Sequence, residues 1–308
     1  MCTRDSRIHL PCHLTKKINK MKNILFIAAV ILGLQSCSSS ATESSTQESQ
    51  KNFVVVLDLS DRIIQKQNQI NIDTSVISAV FEEFQKSVRI NHLVVKSTDK
   101  FSIRIIPQKG SKLPSDFFEN SMSIDMGKFS AMEKLKKLDE FAKNFPSNLQ
   151  ALYLQAKVGS NSSDYAGVDI WQYFNEQINS DLDQRLENKV YILTDGYFDF
   201  EDKNHGIKSQ EFSTTTTPLL KKMNGLDWKN KADSLGLGIL PVALKTKADW
   251  QICGIQSKAK GGQEELLESQ KLCYLWTKWL KSSGAEQVKD PILNSSANKV
   301  KSLILQSI

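Results

Sequence analysis

The chain has 308 residues, 40% of them hydrophobic and 24% charged, a composition that fits one large α/β domain or two small ones and excludes collagen-like, coiled-coil and wholly disordered proteins. The formal net charge of +6 is concentrated in residues 1–36, which contain six basic residues and one acidic residue. The rest of the chain carries a net charge of only +1, so we expect no nucleic-acid partner.

The start of the chain predicts an export signal. A short basic segment precedes an apolar run at residues 24–34, which is too short to span a bilayer comfortably and is typical of a signal peptide. The run leads into Leu34-Gln35-Ser36-Cys37, which resembles the lipobox of bacterial lipoproteins. In that family the signal is cleaved before the cysteine, which is then acylated. We therefore interpret residues 1–36 as an upstream extension and lipoprotein signal peptide, and Cys37 as the lipidation site. The alternatives are a secretory signal with an incidental cysteine and an N-terminal anchor helix.

Residues 37–51 are predicted to be the lipidated cysteine and a flexible tether, because residues 38–51 contain no large apolar side chain and cannot contribute to a core. The residue after Cys37 is Ser38 rather than an aspartate. By the sorting rule of some Gram-negative lipoproteins, this resembles an outer-membrane destination. We expect a lipid-anchored envelope protein on the periplasmic or the surface face.

Two cysteines lie beyond the tether, Cys253 and Cys273. An oxidising envelope would allow them to form a disulfide. The alternative is two unpaired buried thiols, since free cysteine packs as a small apolar residue.

Residues 52–308 predict strands that alternate with helices. Continuous apolar runs at 52–58 and 189–194 indicate central strands buried on both faces. The segments predicted between and after these strands are a helix at 74–89, an antiparallel hairpin of 92–97 and 101–107, helices at 131–145 and 149–157 separated by Pro146, a helix at 170–178, weak helical sequence at 217–235, candidate strands at 239–244 and 250–255, a helix with an apolar stripe at 272–280, and an amphipathic segment at 292–307. This order predicts a Rossmann-like three-layer α/β domain over 52–308, with a mostly parallel central sheet, an antiparallel edge hairpin and helices on both faces.

Acidic residues terminate both predicted central strands. Asp58 ends the first strand, with Ser60 two residues later, and Asp195 follows the second. Ligands of open α/β sheets bind at the carboxyl ends of the strands, so these three side chains converge if the strands are neighbours. Carboxylate and hydroxyl oxygens without histidine or thiol suit Mg²⁺ or Mn²⁺ better than zinc.

The segment Asp58-Leu59-Ser60-Asp61-Arg62 and the Asp195-Gly196 turn resemble the von Willebrand factor type A family over roughly residues 52–290. In that family the first strand ends in Asp-x-Ser-x-Ser and the fourth in an Asp-Gly turn. With a loop threonine, they build a metal-ion-dependent adhesion site. The resemblance implies that Asp58, Ser60 and Asp195 hold a divalent cation, and that a partner's carboxylate takes its open coordination position.

Arg62 departs from this motif, because it stands where the family has its second serine. A guanidinium only donates hydrogen bonds and cannot ligate a cation. The site therefore either binds a metal through a changed ligand set or is a metal-free relic in which Arg62 pairs with Asp58 or Asp195.

The loop threonine is also missing, since Val168 occupies its expected place. Asp164, Ser163 or Asp169 could substitute for it, and we include Asp164 in the predicted ligand set. A plainer alternative is that the two strand-end aspartates only cap turns.

We expect this protein to be a binding module rather than an enzyme: a membrane-anchored lipoprotein that binds a protein partner, with a divalent cation as the link between them. Two alternatives stay open. Asp58-Leu59-Ser60 is similar to the nucleophile strand of haloacid dehalogenase-like phosphatases, which would make Asp58 the nucleophile of a Mg²⁺-dependent phosphohydrolase, although Ser60 stands where those enzymes have a second aspartate. The other alternative is a metal-free structural lipoprotein.

Overall fold

The central sheet is built on the two strands whose continuous apolar sequence predicts burial on both faces. The structure, a computed structural model, describes residues 49–65, 68–108, 110–200, 209–259 and 261–307. The predicted signal peptide, the predicted lipidation site Cys37 and most of the predicted tether lie outside the described residues. The strands are β1 Lys51–Asp58, β2 Lys100–Ile106, β3 Ile124–Asp125, β4 Glu187–Leu193, β5 Phe212–Ser213, β6 Gly238–Ile239, β7 Ala248–Ile255, β8 Gln287–Val288 and β9 Ile292–Leu293.

Helices connect these strands and cover the sheet. They are α1 Arg62–Gln65, α2 Gln69–Lys86, α3 Ser115–Ser121, α4 Lys134–Ala156, α5 Ile170–Glu176, α6 Ile178–Asp181, α7 Thr217–Lys222, α8 Trp228–Ser234, α9 Gly262–Ser282 and α10 Ala297–Ser307. A π-helical turn, Ser87–Asn91, extends α2. None of the helices in the described ranges is long and apolar enough to span a membrane.

The strand order of the main sheet is β3-β2-β1-β4-β7-β8, and β9 also pairs with β7. Every pairing is parallel except that between β2 and β3. Because β1 and β4 are neighbours, with Leu57 opposite Leu193, their carboxyl ends meet at one edge of the sheet. The α/β fold class and the mostly parallel sheet with an antiparallel edge are confirmed.

Alternate residues of the strands face two separate apolar cores, which gives the three-layer arrangement. Phe53, Val55 and Leu57 of β1 pack in a core with α2, α4 and α10. Val54 and Val56 pack on the other face with α5 and α9. The apolar stripe of α9 belongs to this second core.

The predicted hairpin of residues 92–97 and 101–107 does not form, because only its second half is a strand. His92 is buried, with Nδ1 2.9 Å from Oδ2 of Asp99, and Leu93 has a positive φ of 56°, so the first half is a turn. The antiparallel edge is the pairing of β3 with β2 instead.

Two further segments differ from expectation. Pro146 lies inside the continuous helix α4, where the loss of its N–H is tolerated because Phe145 and Leu149 are buried in the core. Of the two candidate strands, 250–255 lies in β7, the parallel neighbour of β4. Only Ile239 of the segment 239–244 is in a strand, in β6, which pairs with β5.

The possible disulfide between Cys253 and Cys273 does not form, because both are free thiols. Cys253 is buried in the core that contains α2 and α4. Cys273, on α9, packs against the core on the opposite face. The sheet itself separates the two sulfur atoms.

Candidate functional site

The carboxyl edge of the sheet brings Asp58 and Asp195 together. Their side chains end neighbouring strands, and Thr194, the residue before Asp195, donates a hydrogen bond of 2.8 Å from Oγ1 to Oδ2 of Asp58. Both aspartates are almost fully buried, with 2% and 3% of their surface exposed. Two carboxylates from distant parts of the sequence therefore share one small, poorly solvated space.

The carboxylate of Asp58 also fixes the loop that carries Ser60. Its Oδ1 accepts a hydrogen bond of 2.9 Å from the backbone N–H of Ser60. The amide of Gln108 holds the same loop by donating to the carbonyl of Leu59 at 2.8 Å. Ser60, which is 7% exposed, is thus held directly beside the strand end.

One carboxylate oxygen of Asp195 has no hydrogen-bond donor among the described residues. Its Oδ1 accepts a hydrogen bond of 3.1 Å from the backbone N–H of Tyr197, but its buried Oδ2 accepts none from the described residues. Burial, reinforced by the negative charge of Asp58, raises the pKa of Asp195 from 3.8 to about 7. A buried acceptor with no donor is unusual in a folded protein, and a nearby like charge makes the ionised form less favourable still.

Arg62 does not pair with either of these carboxylates. Its guanidinium forms a bidentate ion pair with Asp73 of α2, with both N···O distances at 2.8 Å, and the two side chains are 3% and 2% exposed. Nη1 also donates to the backbone carbonyl of Asp58 at 3.2 Å. The alternative in which Arg62 pairs with the Asp58 or Asp195 carboxylate is therefore not observed.

Gly254 of β7 makes room for this ion pair. It has a positive φ of 97°, and a Cβ there would lie 3.1 Å from the carbonyl oxygen of Thr194 and 3.2 Å from Nη2 of Arg62. A side chain would strain the backbone and push on both neighbours.

Asp164 is not brought to the site in the way the sequence analysis expected. It is exposed, and its Oδ2 accepts a hydrogen bond of 3.0 Å from the backbone N–H of Asn161, which caps its own turn. Within the described ranges, no hydrogen bond or ion pair joins Asp164 to Asp58, Ser60 or Asp195.

The other two positions of that loop have local roles as well. Val168 is buried, 3% exposed, in the core below the site. Asp169 caps α5, with Oδ1 accepting from the backbone N–H of Gln172 at 2.8 Å.

Lys258 is a residue of the site that the sequence analysis missed. Its Nζ lies 3.7 Å from Oδ2 of Asp195 and 3.6 Å from Oδ1 of Asp61, and its side chain is 44% exposed. Burial lowers the pKa of Lys258, but the surrounding carboxylates, Asp195 first and then Asp61, outweigh it and raise the pKa overall. Lys258 follows β7, so the rule that ligands lie at carboxyl strand ends would have found it once 250–255 was placed next to β4.

A cavity of about 540 Å³ opens beside Lys258. Its charged and polar lining consists of Tyr197, Asp199, Thr217, Lys221, Lys258 and Glu268. The two acids of this lining already accept hydrogen bonds from the chain, Asp199 from Thr217 and Glu268 from Ser257. With two lysines and two acids, the lining carries no net formal charge.

The oxygen ligands available at the strand ends meet part of what a hard divalent cation needs. The described residues contain no cluster of three His, Cys, Asp or Glu side chains that could hold a metal ion. The available protein donors are the carboxylates of Asp58 and Asp195 and the hydroxyl of Ser60. Mg²⁺ binds through one or two carboxylates and keeps several waters, and Oδ2 of Asp195, which accepts no hydrogen bond from the described residues, is the kind of oxygen it prefers.

Comparisons with known proteins leave the family open. No family model and no curated protein matches the chain. Among solved structures, the chain is similar to proximal thread matrix protein 1 from the mussel byssus, with 12% sequence identity and a TM-score of 0.31 over 83% of this chain and 46% of that chain. This chain therefore spans less than half the length of the mussel protein, and a likeness this distant carries no argument about function.

Proposed function

We propose that this protein is a lipid-anchored envelope protein whose folded part binds an acidic side chain of a protein partner through Mg²⁺ or Mn²⁺. Asp58 and Ser60 would hold the cation, with Asp195 binding it directly or through water, and the partner would supply a further carboxylate. One observation carries the proposal: Oδ2 of Asp195 is buried beside Asp58 and accepts no hydrogen bond from the described residues.

The orientation of Arg62 also supports a cation site at Asp58, Ser60 and Asp195. The positive charge that departs from the type A motif is neutralised by Asp73, so it does not fill the place of a cation at Asp195. A site of the von Willebrand factor type A kind can then use its first aspartate and first serine without the second serine.

The direction of β1 is consistent with a tethered binding module. The chain enters β1 at Lys51, and Asp58 lies at the other end of the strand, about 23 Å away at 3.3 Å per residue. A domain attached through Cys37 would carry its site at the edge opposite to the point where the tether joins.

A phosphohydrolase has less support. Ser60 stands where haloacid dehalogenase-like phosphatases have their second aspartate, so the general acid of such an enzyme is missing beside Asp58. Turnover of a generic phosphomonoester that disappears in Asp58→Asn would nevertheless favour the enzyme over the binding module.

The metal dependence is tested by titrating MnCl₂ and MgCl₂ calorimetrically into the purified full chain. We expect binding in the wild type, loss of binding in Asp195→Asn, and unchanged binding in Asp164→Asn, the matched control for removing one carboxylate near the same edge. Absence of heat with both cations, together with no effect of EDTA on the unfolding midpoint, would refute the proposal and favour a metal-free structural role.

The partner chemistry is tested with two immobilised peptides of equal length, polyglutamate and polyglutamine. Retention on polyglutamate in Mn²⁺, and release in EDTA, is expected if the cation links the chain to a carboxylate. Equal retention on both peptides would contradict this mode of binding.

A further inference from the structure

Lys258 occupies the neighbourhood that a bound cation would need. Its ammonium lies 3.7 Å from Oδ2 of Asp195 and 3.6 Å from Oδ1 of Asp61. These distances are too long for good hydrogen bonds but place a full positive charge between two carboxylates. Lys258 thus places a positive charge beside the Asp195 oxygen that accepts no hydrogen bond from the described residues.

The position of Lys258 is built into the fold rather than being a chance surface contact. Its backbone N–H donates to the hydroxyl oxygen of Tyr197 at 2.9 Å, and its Nζ lies 4.7 Å from the centre of the Tyr197 ring. The hydroxyl of Tyr197 in turn donates to Glu268, whose carboxylate also accepts a hydrogen bond of 2.8 Å from Ser257. The backbone and the side chain of Lys258 are both directed toward the carboxyl edge of the sheet.

A divalent cation and the ammonium cannot both stay where this geometry puts them without repulsion. A Mg²⁺ ion bound to Oδ2 of Asp195 would lie about 2.1 Å from that oxygen. It would then be no more than about 6 Å from Nζ of Lys258, at which distance like charges repel strongly in a partly buried site.

We propose that Lys258 is a tethered counter-ion that competes with the divalent cation for Asp195 and thereby sets the affinity of the site for metal. This inference rests on the proposed cation site and adds its regulation: metal loading requires the ammonium to leave Asp195. The 44% exposure of the Lys258 side chain and the adjoining cavity give it somewhere to move.

The inference is tested by titrating MnCl₂ into the full chain at fixed ionic strength, with the variants Lys258→Met and Lys221→Met. Both substitutions remove one lysine charge from the same cavity, but only Lys258 faces Asp195. We expect Lys258→Met to bind Mn²⁺ about fivefold more tightly than the wild type, the equivalent of about 1 kcal/mol for a partly exposed ion pair. Lys221→Met should stay within about twofold of the wild type, as a surface charge without a direct contact would.

The outcomes separate this inference from the proposed function. Equal or weaker binding by Lys258→Met, with the wild type still dependent on Asp195, would overturn the competition and leave the cation site standing. If Lys258→Met binds Mn²⁺ and the wild type does not, the competition is supported. The proposed binding of a partner through a cation by the wild-type chain is then overturned. No binding by either chain would overturn both.

Discussion

Replacing Asp195 with asparagine should make the protein more stable at neutral and alkaline pH. The pKa of Asp195 is raised from 3.8 to about 7, by burial first and by the charge of Asp58 second. The folded chain therefore holds the Asp195 proton more tightly than the unfolded chain does. Stability from this group is fully present below pH 3.8 and is lost as the pH rises through 7.

The size of this change in stability follows from the pKa shift of Asp195. Three pKa units correspond to about 4 kcal/mol of unfolding free energy, of which about 2–3 kcal/mol is lost between pH 5 and pH 8. Asparagine cannot ionise, and its side-chain oxygen can still accept the hydrogen bond from the N–H of Tyr197. The stability difference between Asp195→Asn and the wild type should therefore grow in favour of the variant over this range.

Urea unfolding of both chains at pH 5, 6, 7 and 8, in EDTA, measures this difference. Every other titrating group is shared by the two chains, so to first order its contribution cancels. The separation of the urea midpoints should widen by about 1 M between pH 5 and pH 8. A separation that stays constant would mean that Lys258 already neutralises the Asp195 carboxylate, and Asp195 would then need no bound cation.

Other substitutions test the surroundings of the site. Arg62→Met should lower the free energy of unfolding by about 3–5 kcal/mol, because Asp73 would be left buried without its counter-ion; a loss below about 1 kcal/mol in urea unfolding would contradict the buried ion pair. Gly254→Ala should cost at least about 1 kcal/mol more than Gly261→Ala, since both glycines have a φ near 100° but a Cβ at Gly254 would lie only 3.1–3.2 Å from its neighbours, whereas a Cβ at Gly261 would meet nothing within 4 Å. Alkylation of the unfolded, unreduced chain should label both thiols of the folded part, and a mass two hydrogens lower in unlabelled protein would instead show a disulfide.

The main strands of the fold could be predicted because their sequence leaves few options. Long β-branched runs such as residues 52–58 can be buried on both faces only as central strands. The turn at 92–97 could not be recognised, because a short apolar run has no period that separates a strand from a buried turn. There the deciding interaction is the burial of His92 against Asp99, a pairing that depends on the finished fold.

The candidate site was predictable to the extent that it follows strand ends. Asp58 and Asp195 each close an apolar run, so topology alone places them at one edge. Lys258 depended on which of two candidate strands neighbours β4, and apolar patterning does not decide between them. The partner of Arg62 is Asp73, whose position on the inner face of α2 is set by packing.

If the strand ends form the proposed type A-like cation site, the pairing of Arg62 with Asp73 would allow that site to lack the second serine of the motif. An arginine at that position would oppose a metal ion if its charge were directed at the strand ends. Here a buried aspartate pairs with that charge, and Lys258 lies within 4 Å of the carboxylates of Asp195 and Asp61. Restoring the serine by Arg62→Ser would therefore leave Asp73 buried without a counter-ion, and we expect it to weaken the fold rather than improve the site. Serine restoration becomes a fair test of metal binding only when Asp73→Asn removes that buried charge at the same time.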